Sequence, residues 1–531
     1  MIALSLAIVI FKINALTIKK IDEMNENLIR QAAILLTDML TFEKPADAVM
    51  SAFFRNNRDL GNKDRSFIAE SAYGVIRRLR FLSTITANEE NDPDDARKLI
   101  LAWLLRVQGR SLRDLDAVLN EQQKEWAIAI KTKSTNDMPI AAKADVRDWL
   151  WEKLAKQYGD EKALTICRSM FEQATLDLRV NTIKGNPEEV LAKMLAENIN
   201  NENTISAMPL SPIGIRMPNR IGINKHVLFT EGKIEVQDEG SQLLTFLVAP
   251  KRGQMVADLC AGAGGKTLAL GALMRNTGRL YAFDVNERRL SNMSKRLKRS
   301  GLSNLNAQVI NNENDMKLKR LDGKFDRVLV DAPCSGLGTL RRNPDLKWRQ
   351  TEQDVVELNA KQKNILTRAA KMTKAGGRVV YATCSLLTEE NEMITEHFLE
   401  KHPDFTLVPA NEVMAQQGIE LDTGKYLNLL PHEHGTDGFF AAVFERKMDP
   451  KKEAVARLKA EEPQAKKAKV KKEKAAEKAA EKAAEKAAEE KPENTKAPAK
   501  VDEAEVKAEA KSEASPEMML ETDSKPEEGK A

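Results

Sequence analysis

The chain has 531 residues, a formal net charge of +4 and four cysteines. That length is too great for one compact core and suggests about three units. Four cysteines in so long a chain, none in a CxxC pair, argue against a disulfide framework and against a zinc site, so reduced thiols in a metal-free cytoplasmic protein are expected.

The first residues, Met1 to Phe11, resemble the apolar region of a signal peptide but lack a basic segment in front and are too short to span a bilayer comfortably. Met24 opens an ordinary soluble start, so residues 1–23 read as a mis-assigned start, with an apolar leader as the alternative. Residues 24–150 form a helical unit: Leu28, Ala32, Leu35, Leu36 and Met39, then Phe67, Ala69, Ala72, Val75, Ile76, Leu79 and Leu82, recur at helical spacing. Residues 134–141 read as a linker, and Val146 to Glu172 as further helix with Trp149 and Trp151.

Residues 151–233 combine this linker helix with a small α+β module. Leu176 to Thr182 alternates like a strand, Asn186-Pro-Glu-Glu starts a helix with proline in its first turn, and Gly214–Met217 and His226–Phe229 read as short strands. From 234 to 446, strands alternate with helices in the manner of an α/β fold with a parallel sheet. Strands are expected at Met255–Leu259, Arg279–Phe283, Asn306–Ile310, Arg327–Val330 and Arg378–Ala382, with a last one at Gly438–Phe444. Helices are expected at Lys266–Met274, Glu287–Ser300 and Glu352–Thr373, the last stopped by Gly376-Gly377.

Residues 447–531 contain no aromatic side chain and are rich in Lys, Glu and Ala, including a repeat from Glu473 to Ala488. Such a segment cannot bury a core and reads as a solubilising, disordered tail with fluctuating helix. Its basic cluster Lys466 to Lys472 can attract nucleic acid. The body carries basic runs of its own, Arg288-Arg289, Lys295 to Arg299 and Arg341-Arg342, which point to a polyanionic partner.

The chemistry gathers at three strand ends, each delivering a cysteine: Cys260, Cys334 and Cys384, with only Cys167 elsewhere. Open α/β sheets bind ligands at the carboxyl ends of their strands. After the first strand, Gly262, Gly264 and Gly265 lie where backbone approaches a ligand and helix N–H groups point outward, in an order that disfavours a dinucleotide. Asp284, ending the next strand, stands where an acidic side chain meets ribose hydroxyls, so the pair fits an adenosyl ligand. Asp331-Ala-Pro-Cys334 and Thr383-Cys384-Ser385 converge if their strands are parallel. A thiolate can add to an aromatic base whose carbon is a poor nucleophile while a carboxylic acid protonates the ring nitrogen. Two inert, buried cysteines are the alternative.

Val236 to Gln242, Cys260 to Lys266, Asp331 to Gly338, Arg341 to Trp348, Tyr381 to Ser385 and Asp437 to Phe440 together resemble the Sun/RsmB-type family of RNA cytosine-5 methyltransferases. The helical segment before them, on signals such as Arg65 to Arg77, is similar to the NusB-like RNA-binding domain of the bacterial branch. The resemblance implies a Rossmann-like methyltransferase domain and S-adenosylmethionine held by Cys260, Ala261, Gly262, Ala263, Gly264, Gly265, Lys266, Asp284 and Asp331. It further implies that Cys384 attacks carbon 6 of cytosine, Asp331 assists at ring nitrogen 3, and Cys334 helps release the product, with Lys266 near cofactor and base. The substrate is then RNA, foremost small-subunit ribosomal RNA, with the target base in a loop or opened helix. A monomer off the membrane is expected.

Two departures stand out. The family's Cys-Ala-Ala-Pro-Gly-Gly-Lys is here Cys-Ala-Gly-Ala-Gly-Gly-Lys, a less stiff loop. Where the family places an acid against adenine this chain has Ile310-Asn-Asn-Glu-Asn-Asp315, with Asn312 the best-placed substitute through its amide carbonyl. The competing readings are a transfer RNA methyltransferase, a DNA cytosine-5 methyltransferase using the Pro-Cys cysteine, and a non-catalytic RNA-binding assembly factor.

Overall fold

The computed structural model describes residues 25–87, 96–197, 205–218 and 222–448. The leader at 1–23 and the tail, apart from Lys447 and Met448, lie outside the described residues.

The first unit is helical. Helix Glu26–Leu40 starts at Asn25, whose side chain accepts from the Leu28 N–H, and it buries Leu28, Ile29, Ala32, Leu35, Leu36 and Met39 on one face. Helix Asn62–Arg77 packs on it, and Gly74 lets helix Ala96–Arg106 approach, since a Cβ there would lie 2.3 Å from Trp103. Trp348, far along the chain, joins this core, and its indole N–H donates to Ile76 O at 2.8 Å. The segment expected as one helix from Val146 to Glu172 is two, Asp148–Tyr158 and Asp160–Ser169, broken at Gly159 with φ +76°. Their apolar face buries Leu150, Trp151, Leu154, Ala163 and Ile166 against Leu337, Leu340, Leu386 and Leu387, beneath the loops that carry Cys334 and Cys384.

Next comes a four-stranded sheet, ordered β2-β3-β1-β4, of β1 (Leu176–Val180), β2 (Ser206–Ala207), β3 (Gly214–Met217) and β4 (Ile234–Val236). β4 pairs with β1, so this module extends past the boundary expected at 233. β1 is buried along its whole length, against the expectation of an alternating strand. Helix Pro187–Ala196 starts as expected, with Asn186 accepting from the Glu188 N–H. The strand expected at His226–Phe229 is a helical turn, Val227–Thr230, capped by the His226 ring.

The large sheet runs β10-β12-β9-β8-β5-β6-β7 with β11 beside β12. Its strands are β5 (Met255–Asp258), β6 (Arg279–Asp284), β7 (Leu305–Val309), β8 (Phe325–Asp331), β9 (Thr373–Thr383), β10 (Phe405–Val408), β11 (Leu427–Leu429) and β12 (Phe439–Arg446). β5 to β9 are mutually parallel, as expected, while the expected last strand, β12, runs antiparallel and pairs with β10 and β11, two strands not expected from the sequence. Helix Glu352–Met372 passes straight into β9 at Thr373; Gly376, expected as a helix stop, lies inside the strand with φ +73°. Strand order reverses at β5, which pairs with β6 on one side and β8 on the other, and such a reversal opens a crevice at the carboxyl ends. This is a Rossmann-like fold.

Candidate active site

Four neighbouring parallel strands deliver their carboxyl ends to one edge in the order β9, β8, β5, β6, bringing together Cys384, Asp331, the Cys260–Lys266 loop and Asp284. The loop after β5 is built from backbone. Gly262 and Gly264 have φ of +54° and +83°, which a side chain makes costly, and the Gly264 N–H closes a turn on Ala261 O at 2.9 Å. A Cβ at Gly264 would sit 2.4 Å from Met293 Cγ, whereas one at Gly262 meets nothing within 4 Å, so the loop faces open space there. The Gly262 N–H donates to Asp284 Oδ2 at 2.8 Å, and Asn286 N–H to Oδ1 at 2.7 Å.

Two arginines absent from the expected set hold this loop from behind. Arg296 donates to Ala263 O at 2.9 Å and pairs with Glu235. Arg179 on β1 donates to Gly265 O and to Gln237 Oε1, both at 2.7 Å, and burial pulls its guanidinium down to about 10. Arg179 is one of two charged residues, with Asp177, inside the strand-like run Leu176 to Val180, and that was its signal in the sequence. The replacement of Ala-Pro by Gly262-Ala263 thus falls in a loop tied down at its carbonyls. Asp258, at the end of β5, accepts from Thr267 Oγ1 at 2.7 Å; its carboxyl is pushed up to about 7, by burial first, against that hydrogen bond.

The other half of the site is built from side chains. Lys266 Nζ donates to Asp331 Oδ2 at 2.8 Å, with 12 % of the lysine and 30 % of the aspartate side chain exposed. Burial alone lowers the Lys266 ammonium, but Asp331 and the other anions around it leave it above its ordinary value, so it keeps its proton. The sulfurs of Cys334 and Cys384 are 3.4 Å apart, and the Cys384 backbone N–H points at Cys334 Sγ at 3.3 Å. The hydrogen bond to Cys384 and then burial push the Cys334 thiol well up; burial does the same to Cys260. Gly338 is required where three chains cross: its N–H donates to Cys384 O at 2.8 Å, and a Cβ would meet Gly438 O at 2.2 Å.

The remaining motif residues support rather than line the site. Arg342 joins Asp437 Oδ2 at 2.6 Å and Asp238 Oδ2 at 2.9 Å, and burial pushes the Asp437 carboxyl up to about 7. Asn312 is exposed in the loop after β7, and the carbonyl expected to meet adenine already accepts from the Asn314 N–H at 2.8 Å. Cys167 is buried among the helices, with its thiol pushed up to about 12 by burial.

The adenosyl group fits this edge. Glycines leave the loop open, and Asp284 stands at its rim.

Known proteins share the arrangement. Residues 245–445 match the family model described as 16S rRNA methyltransferase RsmB/F, and residues 147–223 match an RsmF/B-like ferredoxin-like domain. The "Probable ribosomal RNA small subunit methyltransferase B" of Synechocystis is 30 % identical over 77 % of this chain and 97 % of its own length. The ribosomal RNA small subunit methyltransferase B of Vibrio cholerae is 30 % identical over 72 % of this chain and 90 % of its own. The crystal structure of PH0851 superposes with a TM-score of 0.64 at 26 % identity, covering 80 % of this chain and 99 % of that one. With relatives matched over nearly their whole length, the chain belongs to the 16S rRNA methyltransferase RsmB/F family of S-adenosylmethionine-dependent RNA methyltransferases.

Proposed function

We propose that this enzyme methylates carbon 5 of a cytosine in small-subunit ribosomal RNA through a covalent adduct on Cys384. The observation that carries this reading is the pair of sulfurs 3.4 Å apart beside the Lys266–Asp331 ion pair, on adjacent parallel strands. One thiol would suffice for a nucleophile; two in contact suit a reaction in which an adduct is both made and broken.

The Cys384 thiolate adds to carbon 6, forming a C–S bond, and the electron pair displaced through the ring is met by a proton at nitrogen 3. That proton comes from the Lys266 ammonium by way of Asp331, whose carboxylate accepts from Lys266 Nζ at 2.8 Å and assists at nitrogen 3. Carbon 5 becomes nucleophilic. S-adenosylmethionine, when bound, supplies the methyl carbon it accepts, held by residues 260–266, Asp284 and Asp331, with Asn312 the candidate nearest adenine. Loss of the carbon 5 proton to solvent then re-forms the double bond and expels the Cys384 thiolate, which the Cys334 thiol assists by donating a hydrogen bond to the departing sulfur, and the nitrogen 3 proton returns to the Asp331–Lys266 pair. The helical unit and the small α+β module supply the RNA grip, and the base is taken out of its stack to reach the edge.

Purified protein with labelled S-adenosylmethionine and small-subunit ribosomal RNA lacking the modification should yield 5-methylcytosine in a nucleoside digest. Label in another nucleoside overturns the cytosine assignment, label in transfer RNA alone moves the substrate, and no label in either RNA sinks the reading.

A further inference from the structure

Behind the two cysteines lies a fully buried glutamate that touches neither. Glu390 sits in the turn Thr388–Glu390 after β9. Its Oε1 accepts from the Ser335 backbone N–H at 2.9 Å and from Gln362 Nε2 at 3.0 Å. Its Oε2 accepts from the hydroxyls of Ser335 and Ser385, each at 2.5 Å. Ser335 directly follows Cys334 and Ser385 directly follows Cys384, so one carboxylate holds the residue after each sulfur. Around it, Gln362 also donates to Pro333 O at 2.9 Å, and the Tyr381 hydroxyl donates to the Glu390 backbone O at 2.6 Å.

All four donors to this carboxylate are neutral. A carboxyl group buried among neutral donors costs more than an amide of the same shape, so this side chain has a use beyond joining two loops. The charged or titratable groups around Cys334 are Cys384 and Tyr381 on β9, Glu390, and the Lys266–Asp331 pair at the neighbouring strand ends. Asp331 is matched by Lys266, and burial first, then the nearby anions, keep the Tyr381 hydroxyl neutral. Glu390 is thus the anion among them with no cation in its hydrogen-bond shell.

We propose that Glu390 is a positioning residue for methyl transfer, whose carboxylate clamps the loops carrying Cys334 and Cys384 and sets which of the two sulfurs is the nucleophile. This rests on the covalent-cysteine reading above. The hydrogen bond with Cys384 and burial keep Cys334 a thiol, the Glu390 carboxylate adds to them, and that thiol can hydrogen-bond to a thiolate at Cys384.

The test is Glu390→Gln in the full-length protein, which keeps the side chain's shape and removes its charge. Peptide-resolved iodoacetamide labelling across pH, without RNA, reads each thiol separately. The midpoint for Cys334 should fall by about one pH unit, and kcat for RNA methylation by about tenfold, with KM for RNA within about twofold of the parent. Either readout unchanged in a folded variant overturns the proposal. Should the glutamine variant not fold, Ser385→Ala removes the hydroxyl's bond to Glu390 Oε2 together with those it accepts from Ser335 Oγ and the Leu387 N–H, so it loosens the clamp but keeps the carboxylate, and it is expected to lower kcat without lowering the Cys334 midpoint; an unchanged kcat there overturns it equally. A shifted Cys334 in an enzyme that makes no 5-methylcytosine instead overturns the reaction assigned above, because the labelling needs no substrate.

Discussion

The loop after β5 and the loops after β8 and β9 both hold reactive groups at one sheet edge, but by opposite means. The first is a backbone device: positive-φ glycines, N–H groups aimed at Asp284, and carbonyls tied by Arg179 and Arg296. The others are side-chain devices, in which a buried carboxylate and two serines fix the sulfurs. A backbone-held loop tolerates changes of side chain and punishes a Cβ in the wrong place. A side-chain-held loop does the reverse, since loss of one polar group strands its partners.

Substitutions can break this contrast. The largest effect is expected from Cys384→Ala, which should lower methylation on the order of 10⁴-fold or more while labelled S-adenosylmethionine still binds; activity retained there with loss in Cys334→Ala would assign the nucleophile to Cys334. Cys334→Ala should accumulate a covalent protein–RNA adduct, seen as a shifted band on a denaturing gel.

Within the glycine loop the effects are graded by space. Gly264→Ala meets both φ +83° and Met293 at 2.4 Å, so a loss of about 3 kcal/mol in urea unfolding is expected. Gly262→Ala has only φ +54° to overcome, with nothing within 4 Å, and about 1 kcal/mol is expected. Equal losses at the two positions would mean that the loop relaxes as a unit.

A different readout concerns pH. The Asp258 carboxyl is raised from 3.8 to about 7, so the protonated form is favoured in the fold. Its contribution to stability is complete below about pH 4 and is lost as pH rises through about 7. Asp258→Asn should flatten that part of the stability profile; an unchanged slope between pH 4 and 7 assigns the dependence to other groups.

Much of the site was legible because its signals are local. Glycine order after β5, the acid ending β6, and a cysteine following each of two predicted strands are all read within a few residues. The helix start at Asn186 was equally local, an Asn side chain closing on the N–H two residues ahead. The strand assigned to His226–Phe229 failed because the His226 ring caps a turn, and alternation in β1 was hidden by burial of both its faces. Asn312 was chosen by position alone, and the turn it closes with Asn314 depends on backbone geometry that position does not convey.

By itself the amino-acid order determined the alternation of strand and helix from β5 to β9 and which side chains stand at the strand ends, because periodicity and turn chemistry act over short spans. Only the tertiary structure decided that β4 completes the small sheet, that β10 to β12 run antiparallel, and that Trp348 closes the helical core. It alone placed Arg179 behind the glycine loop, 86 residues from its carbonyl partner, and Glu390 between serines 55 and 5 residues away. Those contacts join segments with no shared local pattern, and their partners are chosen by burial, where an unpaired polar group is too costly to leave unmet.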